Sequence, residues 1–134
     1  MLQQSGSNKI IQFGVLFGLA AVILGAFGAH GLAKILEPSE IKIFKTGVEY
    51  QFYHSFAILV CGLLNKLYSS NNFNRSAYFF ALGILLFSGS LYLLSFRILL
   101  AFIPLGILGP ITPIGGLLFI IGWWLMFNAV RKLS

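Results

Sequence analysis

"GVEYQFYHSFAILVCGLL", residues 47 to 64, passes from a stretch rich in charge into one that carries none. Glu49, Gln51 and His54 stand at the entrance of a run otherwise suited to hydrocarbon. A carboxylate, an amide and an imidazole in such a place need protein partners, because polar groups left in lipid are costly. On a helix advancing about 100° per residue, Gly47, Tyr50, Gln51, Ile58, Cys61 and Asn65 fall within about 60° of His54. That stripe is expected to face protein. Glu49 points elsewhere, and with Lys45 four residues earlier it is expected to form an ion pair at the membrane surface.

Composition sets the class. The 134 residues are 58% hydrophobic and only 9% charged, with mean hydropathy +0.92. Soluble domains carry about 25% charged residues, so this chain lacks the polar surface to cover a globule in water. It reads as a single-domain (1–134) all-α integral membrane protein. The net charge of +6 sets nine Lys/Arg against Glu37, Glu40 and Glu49. Those basic residues lie singly at the ends of apolar runs, which suits lipid headgroups and topology; no nucleic-acid partner is expected. With Cys61 alone, an intrachain disulfide is excluded.

A hydrocarbon core about 30 Å thick needs roughly 20 apolar residues in a helix. Four stretches qualify, at about 10–29, 46–67, 77–96 and 114–130. Backbone groups unsatisfied in hydrocarbon make each one helical. "AFG" at 26 to 28 has the look of a signal-peptidase site, but the first apolar run exceeds the 7 to 15 residues of a signal core, and its retention is expected. Between spans one and two, Pro38 suits a first helical position, while Ile41, Phe44 and Val48 recur at helical spacing. This segment reads either as a short interfacial helix or as an ordinary polar loop. "NKLYSSNNFNRS", 65 to 76, reads as a water-facing loop, and "RILLAFIPLGILGPITP", 97 to 113, as a connection staying in the outer membrane or packing over the bundle. Lys9, Lys66, Arg75, Arg131 and Lys132 on the side of the termini outnumber Lys34, Lys42, Lys45 and Arg97 on the other, which places both termini in the cytoplasm.

Each span carries an inward stripe. Span one has Gly14, Gly18, Ala21, Gly25 and Gly28; span three has Ser88, Tyr92 and Ser95, continued by Ala77 and Ala81; span four has Gly115, Phe119, Gly122 and Met126. Small residues let helix backbones approach closely, and an antiparallel four-transmembrane-helix bundle follows. His30, Tyr50, Gln51, His54, Ser88, Tyr92, Ser95 and Thr112 then gather at the end away from the termini. That cluster could lock helices together, line a ligand or ion pocket, or meet a partner protein.

"LGAFGAHGL", "GVEYQFYHSFAIL", "LFSGSLY" and "TPIGGLLFIIGWWLM" resemble, in order and spacing, the small YgdD/YwdK-like inner-membrane family, which also has eukaryotic transmembrane relatives. The resemblance covers Phe17 to Leu125, with Gly28, Ala29 and His30 matching its Gly-Ala-His and Tyr50, Gln51 and His54 its Tyr-Gln-x-x-His. It implies a four-helix protein of the cell inner membrane with a retained first span, and no established reaction. The third connection, 97 to 110, is longer than the family's.

No nucleophile–base pair, phosphate loop or metal-ligand spacing stands out. The expectation is a non-enzymatic accessory, lipid-contacting or interaction protein, with no cofactor and no metal. Its partners would be membrane lipid and another membrane protein or a second copy. A small transporter or channel built around Glu49 is the alternative, followed by a haem or metal site on His30 and His54. An intramembrane hydrolase using Ser88 or Ser90 finds no activating partner within its helix.

Overall fold

The computed structural model describes residues 2–96, 106 and 108–133, with side chains from residue 6 onward. Among them all regular structure is helical: α1 (Leu2–His30), α2 (Pro38–Tyr68), α3 (Asn71–Ser95) and α4 (Leu108–Arg131), with a single 3₁₀ turn, Leu32–Lys34, between the first two. Three segments are long and apolar enough to cross a membrane: Gly6–Lys34, Asn71–Ser95 and Leu108–Arg131. At 31 residues α2 is the longest helix. It is not one of the three, because its middle carries the polar stripe quoted above.

The start of α2 is encoded locally. Glu37 caps it in an extended conformation, Pro38 takes the first helical position, and the Glu37 N–H donates to Glu40 Oε2 at 3.1 Å. From there the helix is continuous, so the segment read as an interfacial helix or polar loop is the opening turns of α2 itself. The water-facing loop expected at 65–76 is shorter than the sequence suggests. Only Ser69 and Ser70 separate α2 from α3. Ser69 adopts the left-handed conformation (φ 52°, ψ 44°), its N–H donating to the Asn65 carbonyl at 2.9 Å. The reason lies one turn later: Phe73 and Ser76 are fully buried, which requires α3 to begin at Asn71. Of the third connection, 97–105 and 107 lie outside the described residues, while 108–113 form the first turns of α4.

In space α1 packs on α2, α2 on α3 and α3 on α4, while α1 touches α3 only marginally. The α1–α2 contact is a ladder. A Cβ on Gly14 would lie 2.8 Å from Leu59, one on Gly18 3.3 Å from Ser55 Oγ, one on Gly25 3.4 Å from Val48, and one on Gly28 2.9 Å from Phe44. Its lower rung is Asn65 Nδ2 donating to Ser7 Oγ at 2.8 Å. Across α3 and α4 the same device recurs. Gly122 admits the Phe80 ring, Gly83 the Phe119 ring, and Gly115 lies directly against the Phe87 backbone. Of the six glycines expected at helix contacts, Gly14, Gly115 and Gly122 permit the closest approaches, whereas Gly25 makes ordinary van der Waals contact. Phe73, Phe80, Ile58 and Cys61 fill the core between these pairs; Leu32, Leu36 and Phe44 form a second cluster at the end away from the termini.

One irregularity shifts the inward face of α3. Ile84–Ser88 form a π turn, which inserts an extra residue into the helix. Before it the buried positions are Phe73, Ser76, Ala77, Phe80 and Gly83, within it Ile84 and Ser88, and after it Ser90 and Ser95. The prediction from the glycine contacts is direct. Gly115→Ala forces a methyl into the Phe87 backbone and should lower stability by about 1–3 kcal/mol. Gly89→Ala, with nothing within 4 Å of the new Cβ, should raise it by about 0.5–1 kcal/mol. Unfolding in mild detergent reads both, and an unshifted Gly115→Ala midpoint would mean α3 and α4 lie farther apart.

Candidate functional site

Gln51 is the junction of three helices. It is 4% exposed. Its Nε2 donates to the Phe17 carbonyl of α1 at 2.9 Å, and its Oε1 accepts from the Tyr92 hydroxyl of α3 at 2.8 Å. The first bond needs a backbone oxygen of α1 within side-chain reach, which Gly14 and Gly18 provide by drawing α1 onto α2. The second needs the Tyr92 ring to lie flat along α2, and Gly47 provides that: a Cβ there would sit 2.8 Å from Tyr92 Cε1. Tyr92 also packs on Phe44, with ring centroids 4.9 Å apart.

His54 joins α2 to α4. The Trp123 indole N–H donates to Nε2 at 3.2 Å, and Nδ1 lies 2.8 Å from the Tyr50 carbonyl. An indole nitrogen only donates, so Nε2 carries the lone pair and Nδ1–H donates to Tyr50. Both ring nitrogens are therefore engaged within the protein. The imidazole stacks on Phe119 at 3.5 Å between centroids and 7° between planes, with Phe80 at 5.5 Å. Beside it an open groove of about 600 Å³ runs between α2 and α4, lined among others by Tyr50, Phe87, Pro113, Phe119 and Trp123.

The expected cluster thus divides. Gln51 and Tyr92 meet as one unit, and His54 forms a second with Tyr50 and Trp123. His54 lies beside Phe80, deeper along α3 than Tyr92. Because α2 begins at Pro38, both Gln51 and His54 sit near the middle of the helix and not at its entrance. Ser95 Oγ turns back to the Tyr92 carbonyl at 2.6 Å, and Thr112 meets Ser90 at 2.7 Å. Ser88 is fully buried, and its hydroxyl has no hydrogen-bond partner. His30 is exposed at the end of α1, apart from the cluster. Lys45 and Glu49 are both exposed and form no ion pair; flexible surface side chains gain little from holding one geometry. No group of three or more His, Cys, Asp or Glu capable of holding a metal is found among the described residues.

Sequence reasoning left Ser90, Trp123 and the Phe17 carbonyl out of the cluster. Trp123 is signalled weakly by its place one turn after Phe119. The other two depend on the π turn and on helix proximity, which no local pattern reveals.

These bonds set measurable couplings. Tyr92→Phe strips Gln51 Oε1 of its buried donor and should cost about 1–3 kcal/mol. Combined with Gln51→Leu in a double-mutant cycle, it should show a coupling of roughly 0.6–1.7 kcal/mol; additive losses would mean the two side chains do not meet. His54→Leu should loosen the α2–α4 contact and lower the detergent melting midpoint, whereas Lys45→Gln should leave it unchanged.

Comparison with known proteins places the chain. The model of the family described as "Protein of unknown function (DUF423)" matches residues 24–116. A "UPF0382 membrane protein" of Staphylococcus epidermidis is 43% identical over 92% of this chain and 96% of its own length. YwdK of Bacillus subtilis, a "UPF0382 membrane protein", is 40% identical over 91% of this chain and 95% of its own. The "UPF0382 inner membrane protein YgdD" of Escherichia coli is 41% identical over 96% and 93%. No solved structure matches. With a family model covering most of its length and relatives aligned nearly end to end, this chain belongs to the DUF423 family of membrane proteins, the YgdD/YwdK-like group its motifs resemble.

Proposed function

We propose that this protein is a non-enzymatic, contact-making component of the cell membrane. In this reading it crosses the bilayer four times, with both termini in the cytoplasm. Its polar side chains hold α2 in place among apolar neighbours. The observation that carries the reading is the use of hydrogen-bonding capacity: Gln51 spends both ends of its amide, and His54 both ring nitrogens, on other atoms of the fold. Groups so engaged are poor bases, nucleophiles or ligands, and good locks.

The fourth crossing is supported by packing. α2 is about 46 Å long at 1.5 Å per residue. Its ladder with α1 extends from Ser7–Asn65 to Gly28–Phe44. If α1 and α3 cross the bilayer, the helix lying antiparallel between them crosses with them. Its low apolarity is tolerable because α1, α3 and α4 cover the polar stripe. The partners that suit this architecture are membrane lipid around the bundle and, along the open α2–α4 groove, another membrane protein or a second copy. Nucleic acid has no place in it.

Impermeant maleimide labelling in a Cys61→Ser background tests the topology. Cysteines replacing Ser70 and Lys132 should label from the cytoplasmic side, and one replacing Glu37 from the opposite side. Labelling of the Glu37 and Ser70 replacements from one side would remove the fourth crossing. Cysteine at Leu117, on the groove, should cross-link in intact membranes to a second copy or to another membrane protein; a chain that stays monomeric there would remove the contact role of that groove.

A further inference from the structure

Because α1 and α3 both pack on α2 but scarcely on each other, a furrow is left between them. It is floored by Ile58, Ala77 and Ala81 and walled by Phe13 and Phe17 on α1 and Tyr78 on α3, with a volume of about 170 Å³. The alanines make it: a larger residue at 77 or 81 would close the gap between the helices. Dry apolar hollows of about this size accept a benzene ring. An open furrow facing hydrocarbon admits a length of acyl chain.

What distinguishes this furrow from the rest of the apolar surface is its mouth. Lys9 precedes Phe13 by one helical turn, and the two border a common hollow with Gln12 and Leu16. Arg75 precedes Tyr78 by three residues on α3, so it too stands just beyond the furrow wall, toward the termini. Lys9 and Arg75 are exposed. A third cation belongs to the same end: Lys66 of α2 donates to Asn8 Oδ1 at 3.3 Å. The chain's three Glu side chains lie at the cap of α2 (Glu37) and in its first half (Glu40 and Glu49), and α2 starts from the opposite end. The furrow therefore ends beneath a positive rim remote from all three Glu, and the Tyr78 ring adds an amphipathic group of the kind that settles at headgroup depth.

We infer that the α1–α3 furrow is a binding site for one anionic phospholipid, its acyl chain against Ala77 and Ala81 and its phosphate between Lys9 and Arg75. The occupant follows from charge complementarity: a zwitterionic lipid would fill the furrow equally well but gain less at the rim. This inference rests on the membrane placement proposed above, and specifically on α1 and α3 crossing together.

Native mass spectrometry of the full chain, titrated in mild detergent with phosphatidylglycerol or phosphatidylcholine, tests it. One phosphatidylglycerol should bind per chain, roughly tenfold tighter than phosphatidylcholine, since each Lys or Arg near an anionic surface is worth a several-fold preference. Lys9→Gln with Arg75→Gln should abolish the preference, both positions being exposed and away from the core. Ala81→Leu should fill the furrow and weaken both lipids. Lys132→Gln, a charge removed elsewhere, should change nothing. Equal binding of the two lipids by the unmodified chain, or a preference that survives the Lys9/Arg75 double substitution, overturns the assignment. Failure of the four-crossing reading appears separately, as labelling of the Glu37 and Ser70 replacements from one side, and leaves the lipid titration to be read by itself.

Discussion

A single amide organises this bundle. Gln51 lies inside the protein, and an unpaired amide there costs more than the bond it could have made. Its two hydrogen bonds are the solution: Nε2 to the Phe17 carbonyl and Oε1 to the Tyr92 hydroxyl. Each demands a neighbouring helix at close range. Gly14 and Gly18 supply that range on the side of α1, and Gly47 on the side of α3. The small-residue ladder and the buried amide are thus one constraint seen from two directions. Between helices surrounded by lipid the hydrophobic effect gives little drive, and close packing with hydrogen bonds decides the arrangement.

The same logic governs the contact between α2 and α4, with aromatic rings in place of glycines. His54 is held by Trp123 at one nitrogen and by its own helix at the other, and is pressed flat on Phe119. Phe119 occupies the space that Gly83 leaves open, and Phe80 the space left by Gly122. Because α2 and α4 meet through these side chains and not through close backbones, an open groove remains beside them. On the other flank, α1 and α3 leave a purely apolar furrow. The two hollows differ in chemistry for a simple reason: α2 lends Tyr50 and His54 to the first and only Ile58 to the second.

Much of this could be read in advance. Residues 10–29, 114–130 and all but the last of 77–96 fall inside helices with the length and apolarity of membrane spans, as the bilayer requires of any such run. Pro38 starts a helix where its ring and missing N–H are tolerated. The inward direction of Gln51, His54 and Ser88 followed from helical period alone. The misreadings share a cause. The polar stretch at 65–76 looked like a loop, yet Phe73 is buried and pulls α3 back to Asn71. Glu49, Gln51 and His54 looked like a helix entrance because the charged segment before them masked the first turns of α2. His30 seemed to belong to the cluster because it ends span one, but it faces outward.

What the sequence determined by itself, then, is the class, the family and the inward turn of most of the polar stripe, though not of His30 or Tyr50, because hydropathy and the 3.6-residue period are local properties. Tertiary structure alone decided which of those side chains meet. Tyr92 rather than His54 pairs with Gln51, Trp123 finds His54, and Thr112 finds Ser90. Those choices depend on how far each helix slides along its neighbour and on the π turn at Ile84–Ser88, which shifts the face of α3 by a residue. Axial register and helix phase arise from packing between distant segments, and no stretch of a single helix carries that information.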